Sequence, residues 1–184
     1  MSDIFTTIID NDEMNNRMFE YLSDTNFDPV PKDNGLGKAA YSNNLLGVPA
    51  FDEFIKIVEQ FGRKKTTEIF ERSHAYKDII REHKIFAKKI YVRTQKCHLM
   101  WGMKQSSGEV FTTHDHWPAM WAFTYYLNPP KGAAGLYFPE HDKEIPIEHG
   151  LLILFKGDVM HGVKKSTYEG YRYCIAGNIS PTFT

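Results

Sequence analysis

The spacing of apolar residues along the chain changes once, near Ile85. Before that point the dominant period is helical. Met14, Met18, Tyr21 and Leu22 lie on one face of a short amphipathic helix expected over Asp12 to Asp24. Residues 25–49 then carry turn chemistry, with Asp28-Pro29, Pro31, Asn34-Gly35, Gly37, Asn43-Asn44 and Gly47. This reads as a loop-rich segment with room for a short strand near Tyr41 to Val48. Phe51, Phe54, Ile55, Val58 and Phe61 form the next apolar stripe, and Asp52 and Glu53 suit the positive end of its helix dipole. A further helix is expected from Thr66 to Glu82, carrying Ile69, Phe70, Tyr76, Ile79 and Ile80. These aromatics are best read as packing onto a sheet rather than as a partner-binding face.

After Ile85 the runs are strand-sized: Ile90 to Lys104, Glu109 to His116, Met120 to Asn128, Gly135 to Phe138, Gly150 to Phe155, Met160 to Lys164 and Tyr171 to Ile179. They are punctuated by Ser106-Ser107-Gly108, Asn128-Pro129-Pro130-Lys131-Gly132, Lys156-Gly157-Asp158 and Glu169-Gly170. Several short strands at this spacing predict a sandwich or barrel. Helices followed by strands predict the α+β class rather than alternating α/β. The expectation is one domain over residues 1–184, with residues 1–84 as helical and loop support and residues 85–184 as the barrel.

Composition narrows the function classes. The 184 residues carry a formal net charge of −1, which supplies no broad field for nucleic acid or an anionic membrane. Arg63-Lys64-Lys65, Lys88-Lys89 and Lys164-Lys165 are short enough to be solvated faces. With two cysteines, Cys97 and Cys174, and no C-x-x-C pair, neither a disulfide scaffold nor a thiolate zinc site is expected. Met1-Ser2-Asp3-Ile4-Phe5 lacks a basic leader, and Leu151 to Phe155 is far short of a membrane span. A cytoplasmic location without membrane attachment is therefore expected. Oligomeric state is not written in the sequence, and a homodimer is compatible with it.

The candidate chemistry gathers in the β-rich part. His114-Asp115-His116 ends a strand-like run, and alternation puts both imidazoles on one face with Asp115 on the other unless a bulge re-aims it. Apolar Trp117, Met120, Trp121 and Phe123 follow, placing the pair at the mouth of a packed interior. His161 arrives after a buried run and a Gly157-Asp158 turn, and Arg172 opens the last strand. Neutral imidazole ligates Fe, Zn, Ni or Cu. An arginine in an apolar strand needs an anionic partner if it faces inward. The set reads as a metal site of His114, His116 and His161 beside a cationic anchor.

The order H-x-H, Tyr125 to Asn128, Gly135-Leu136-Tyr137-Phe138-Pro139, Gly157-Asp158-Val159-Met160-His161 and an arginine-bearing last strand resembles the Fe(II)- and 2-oxoglutarate-dependent oxygenases. It looks most like their small prokaryotic and phage-type branch. The resemblance covers residues 100–180 and is loose before them. It implies a double-stranded β-helix, a jelly-roll or cupin-like barrel, with N-terminal packing helices. It also implies Fe(II), 2-oxoglutarate as co-substrate and O2, with decarboxylation to succinate and CO2 driving oxidation of a substrate, as in a hydroxylase. By the same resemblance His114 and His161 are iron ligands and Arg172 pairs with the distal carboxylate of 2-oxoglutarate.

Two departures stand out. Family members usually have a carboxylate where this chain has His116. Either His116 completes a three-histidine site, or Asp115 reaches the metal through a bulge, or water fills the position; strand alternation favours His116. Cys174 stands where the family often has a serine two residues after its arginine. Tyr126 and Asn128 are candidate polar groups of the co-substrate pocket, with Tyr125 the parity alternative, and Trp101, Trp117 and Trp121 are candidate apolar lining. No catalytic side chain beyond the metal site is indicated.

Two other classes compete. Gly108 followed by His114-x-His116 fits the opening of a cupin motif, but Trp117-Pro118-Ala119-Met120-Trp121 occupies the place of the expected glutamate. An inward Arg172 favours the oxygenase and an outward one the cupin. A non-catalytic barrel is the third reading. Specificity is expected in residues 24–49, 128–134 and 140–148. The substrate class, whether small metabolite, peptide side chain or nucleobase, stays open, with the near-neutral charge against nucleic acid.

Overall fold

The computed structural model describes residues 3–29, 40–72 and 95–182. The chain begins with strand β1 (Ile4–Ile8) and helix α1 (Asp12–Asp24), followed by β2 (Asp28–Pro29), β3 (Ala40–Asn44) and helix α2 (Asp52–Arg72). Strands β4 (Gln95–Ser106), β5 (Phe111–His114), β6 (Trp121–Leu127), β7 (Leu136–Phe138), β8 (Lys143–Ile145), β9 (Leu151–Lys156), β10 (His161–Val163) and β11 (Tyr171–Pro181) complete it. They form a seven-stranded sheet ordered β1-β9-β6-β11-β4-β3-β2 and a four-stranded sheet ordered β5-β10-β7-β8. Among the described residues every strand pairing is antiparallel.

Helix α1 forms where the spacing predicts it. The Met14 N–H donates to the Asn11 side chain at 3.1 Å, capping the first turn. Met14, Asn15, Met18 and Leu22 make its buried face. Helix α2 corrects the expectation of two helices, because it runs without a break through Gly62-Arg63-Lys64-Lys65. Gly62 faces the sheet, where a Cβ would make ordinary contacts, 3.4 Å from Ile179 Cδ1 and 3.6 Å from the Trp121 ring. One glycine costs a helix interior about 1 kcal/mol, too little to end a helix buried on both sides of it at Val58, Glu59 and Thr66. The part of the expected second helix after residue 72 lies outside the described residues. Strand β1 is an addition, although Ile4-Phe5-Thr6-Thr7-Ile8 has the β-branched content of a strand.

The large sheet is covered on both faces, so its central strands read as unbroken apolar runs. On β6, Phe123, Tyr125 and Leu127 pack with Met14, Met18, Phe54 and Val58 of the helices. Alternate residues Ala122 and Tyr126 face the small sheet, joining Phe111, Leu136, Phe138 and Val163. Strand β9 divides likewise, with Leu152 and Leu154 toward the helices and Leu151, Ile153 and Phe155 inward. The period of two thus separates a structural core from a barrel interior. Among the described residues, no helix is long and apolar enough to cross a membrane.

Candidate metal centre

His114 and His161 are direct cross-strand partners in the β5–β10 pairing. Their ring centroids lie 4.5 Å apart. His116 comes from beyond the end of β5, so strand alternation is not what aims it. Its backbone N–H instead donates to the Gly157 carbonyl at 2.7 Å, and the Gly157 N–H donates to the Met120 carbonyl at 3.2 Å. A Cβ at Gly157 would overlap the Ala119 carbonyl, so only glycine lets the loop carrying His116 close onto the β9–β10 turn. The His116 ring lies 5.2 Å from His114 and 5.0 Å from His161. One ligand atom from each of the three histidines falls within 4.8 Å of the other two.

The rings are prepared for lone-pair donation. His114 Nδ1 donates to the Thr112 carbonyl at 2.9 Å, and His161 Nδ1 donates to the Val159 carbonyl at 3.1 Å. A carbonyl oxygen only accepts, so each bond fixes the proton on Nδ1 and leaves Nε2 free for a metal. Burial pushes His116 down to about 4, with the neighbouring His114 adding to the fall. Burial also pushes His161 down to about 3. Both are therefore neutral, the form that ligates. Asp115 stands apart from this cluster; it is exposed, and its carboxylate accepts from the Trp117 N–H at 3.2 Å.

The three histidines share a cavity of about 520 Å³ with Arg172, Tyr126 and Cys174. Arg172 is 2 % exposed and faces inward. Its Nη1 donates to Gln105 Oε1 at 3.0 Å and its Nη2 to the Tyr126 hydroxyl at 3.3 Å. Its Nε is buried without a hydrogen-bond partner among the described residues. Among the described residues no ion pair involves it. Burial pushes the Tyr126 hydroxyl up to about 12 and the Cys174 thiol up to about 11, against the opposing pull of Arg172. A buried guanidinium with only neutral partners calls for an anion.

Other sequence candidates fall elsewhere. Tyr125 faces the helices, where its hydroxyl donates to Asn15 Oδ1 at 2.6 Å. Asn128 shares the parity of Tyr126, but β6 ends at Leu127. A φ of 44° then turns Asn128 away, so it lines a separate surface pocket with His149 and not the metal cavity. Trp101 lines the cavity, Trp121 packs in the helix-side core, and Trp117 is 74 % exposed. Gln105, which orients Arg172, and Gly157, which seats His116, were not singled out as site residues. The glycine was visible only as a turn residue, and nothing in the sequence marks the glutamine.

No protein-family model and no curated protein matches the sequence. Solved structures do match the fold. The viral collagen prolyl hydroxylase of Paramecium Bursaria Chlorella virus-1, in its 2-oxoglutarate complex, is 13% identical with a TM-score of 0.59, covering 99% of this chain and 97% of that one. A Burkholderia pseudomallei oxidoreductase of the 2OG-Fe(II) oxygenase family is 8% identical with a TM-score of 0.63, covering 97% and 85%. This chain has the 2-oxoglutarate oxygenase fold. HygX from Streptomyces hygroscopicus, solved with nickel, 2-oxoglutarate and hygromycin B, also aligns, at 13% identity and a TM-score of 0.58 over 99% and 84%. The two sheets and their covering helices are therefore the double-stranded β-helix with its N-terminal support, as the strand spacing implies.

Proposed function

We propose that the protein is a non-haem Fe(II)- and 2-oxoglutarate-dependent dioxygenase acting as a hydroxylase. The observation that carries this reading is Arg172, buried without a carboxylate partner and opening onto the same cavity as a cluster of three histidines. His114, His116 and His161 would hold the iron through neutral imidazoles, and Asp115 takes no part. When bound, Fe(II), 2-oxoglutarate and O2 supply a decarboxylation to succinate and CO2 coupled to oxidation of the substrate. Arg172 holds the distal carboxylate, its Nη1 and Nη2 oriented by Gln105 and Tyr126 and its Nε left to pair with the anion. Phe111, Leu136, Val163 and Cys174 keep that end dry, which strengthens the charge pairing. The cupin alternative lacks a role for an inward arginine.

Anaerobic titration with Fe(II) and then 2-oxoglutarate tests the assignment through the visible charge-transfer band of the chelate. The band is expected in the wild type and lost in both Arg172→Ala and His161→Ala. Metal binding without a band, indifferent to Arg172→Ala, would instead establish a cupin-type site.

A further inference from the structure

Arg172 accounts for one end of the cavity, and among the described residues three buried polar atoms beyond it have no partner, one of them Thr124 Oγ1, opposite Ala176 on β6. Asn178 is 8 % exposed, lines the cavity, and has a buried Oδ1 with no hydrogen-bond partner. The Trp101 Nε1–H is buried and unpartnered in the same wall. The two residues are diagonal neighbours on the inward face, since Trp101 pairs with Ala176 and Leu99 with Asn178 across β4 and β11. The Trp101 ring lies 5.9 Å from the His116 ring, so this end borders the metal centre. Along β11, Arg172 and Asn178 are separated by about 20 Å of strand. A five-carbon diacid held by Arg172 cannot serve both.

Trp101 offers a donor here, while the Asn178 amide and the Thr124 hydroxyl can each donate or accept. Leaving each unpaired in a closed site is costly, so a ligand supplying partners is favoured. The wall around them is Leu99, Met100, Met103 and Ala176, and the cavity's carboxylate, Asp115, is exposed at the rim. Among the described residues, no charged side chain other than Asp115 at the rim lines this end. An amide is a neutral group that offers a carbonyl acceptor and an N–H donor side by side. We propose that the substrate presents an amide here, its carbonyl accepting from Trp101 Nε1–H and its N–H donating to Asn178 Oδ1. Calling that molecule the substrate rests on the oxygenase reading; the amide site itself does not.

The probe is 2-pyrrolidinone, titrated into the metal-free protein while the indole ¹⁵N–H resonance of Trp101 is followed, assigned through Trp101→Phe. A saturable shift of that resonance is expected. N-methyl-2-pyrrolidinone, which lacks the N–H, should bind roughly 5- to 10-fold more weakly, the worth of one hydrogen bond. In Asn178→Leu the two lactams should bind alike. If that variant does not fold, the comparison of the two lactams on the wild type decides alone. An unmoved Trp101 resonance, equal binding of both lactams to the wild type, or tighter binding of cyclopentanol or acetate would each overturn the amide site. Lactam binding in a protein that forms no charge-transfer band would remove the oxygenase reading and leave the amide site standing. A band without lactam binding would do the reverse.

Discussion

Among the described residues every partner of Arg172 is neutral, and His116 brings a neutral ring to the position where the family resemblance implies a carboxylate. Each residue makes a separable prediction. Arg172→Lys keeps the charge but loses the planar fork that meets a carboxylate with parallel hydrogen bonds. Its 2-oxoglutarate affinity, measured by calorimetry on the metal-loaded protein, is expected to fall about 10- to 100-fold, the worth of one or two charge-assisted bonds. Metal affinity should stay unchanged; a parallel fall in both would mean that the arginine only supports the fold. His116→Ala is expected to weaken Co(II) binding by more than about tenfold, while His116→Asp, which restores an anionic ligand, retains it. Co(II) spectra identical in wild type and His116→Ala would remove His116 from the ligand set.

At the level of elements, the site is assembled where β5 and β10 meet and where the loop after β5 closes on the β9–β10 turn. The first junction is register: His114 lies opposite His161. The second is close approach, and it turns on Gly157. Gly157→Ala must push the Ala119 carbonyl away and so shift the segment that holds His116 by its backbone. The expected outcome is a loss of metal affinity comparable to His116→Ala, with thermal stability lowered by only about 1–3 kcal/mol, as for other overpacked positions. Unaltered Co(II) affinity in Gly157→Ala would show that His116 is seated by something other than this contact.

Across the whole molecule, burial of imidazoles makes stability depend on pH. His116 is held down at about 4 and His161 at about 3, chiefly by burial, whereas unfolded histidine titrates near 6.5. The unfolded metal-free chain therefore binds more protons below about pH 6.5, and stability falls as pH falls. The loss continues toward the folded values and vanishes above about pH 7.5. Well below pH 6.5 each histidine contributes up to about 1.4 kcal/mol per pH unit. The urea midpoint of the metal-free protein should accordingly drop between pH 7 and 5, above the main carboxylate range. The His116→Asn, His161→Asn double variant should flatten this slope, and an equal slope in that variant would place its origin elsewhere.

Much of this arrangement was legible in the sequence, and the reason is periodicity. Spacing of apolar residues marked α1 and the seven principal strands of the barrel, because a half-buried helix or strand must repeat with its own geometry. The three histidines and Arg172 were legible by residue type, since imidazole and guanidinium in apolar strands need a reason to be there. Three-dimensional contact decided the rest. It carried α2 through Gly62, because the helix penalty of one glycine is small beside the burial of the turns on either side. It ended β6 at Leu127, turning Asn128 out of the cavity while Tyr126 stayed in. It seated His116 by a bond to Gly157 rather than by strand alternation, and it chose Gln105 as the partner of Arg172. Local patterns fix which face a side chain takes within one element. Which groups then meet across elements depends on where strands end and how closely backbones approach, and the chain carries no periodic mark of either.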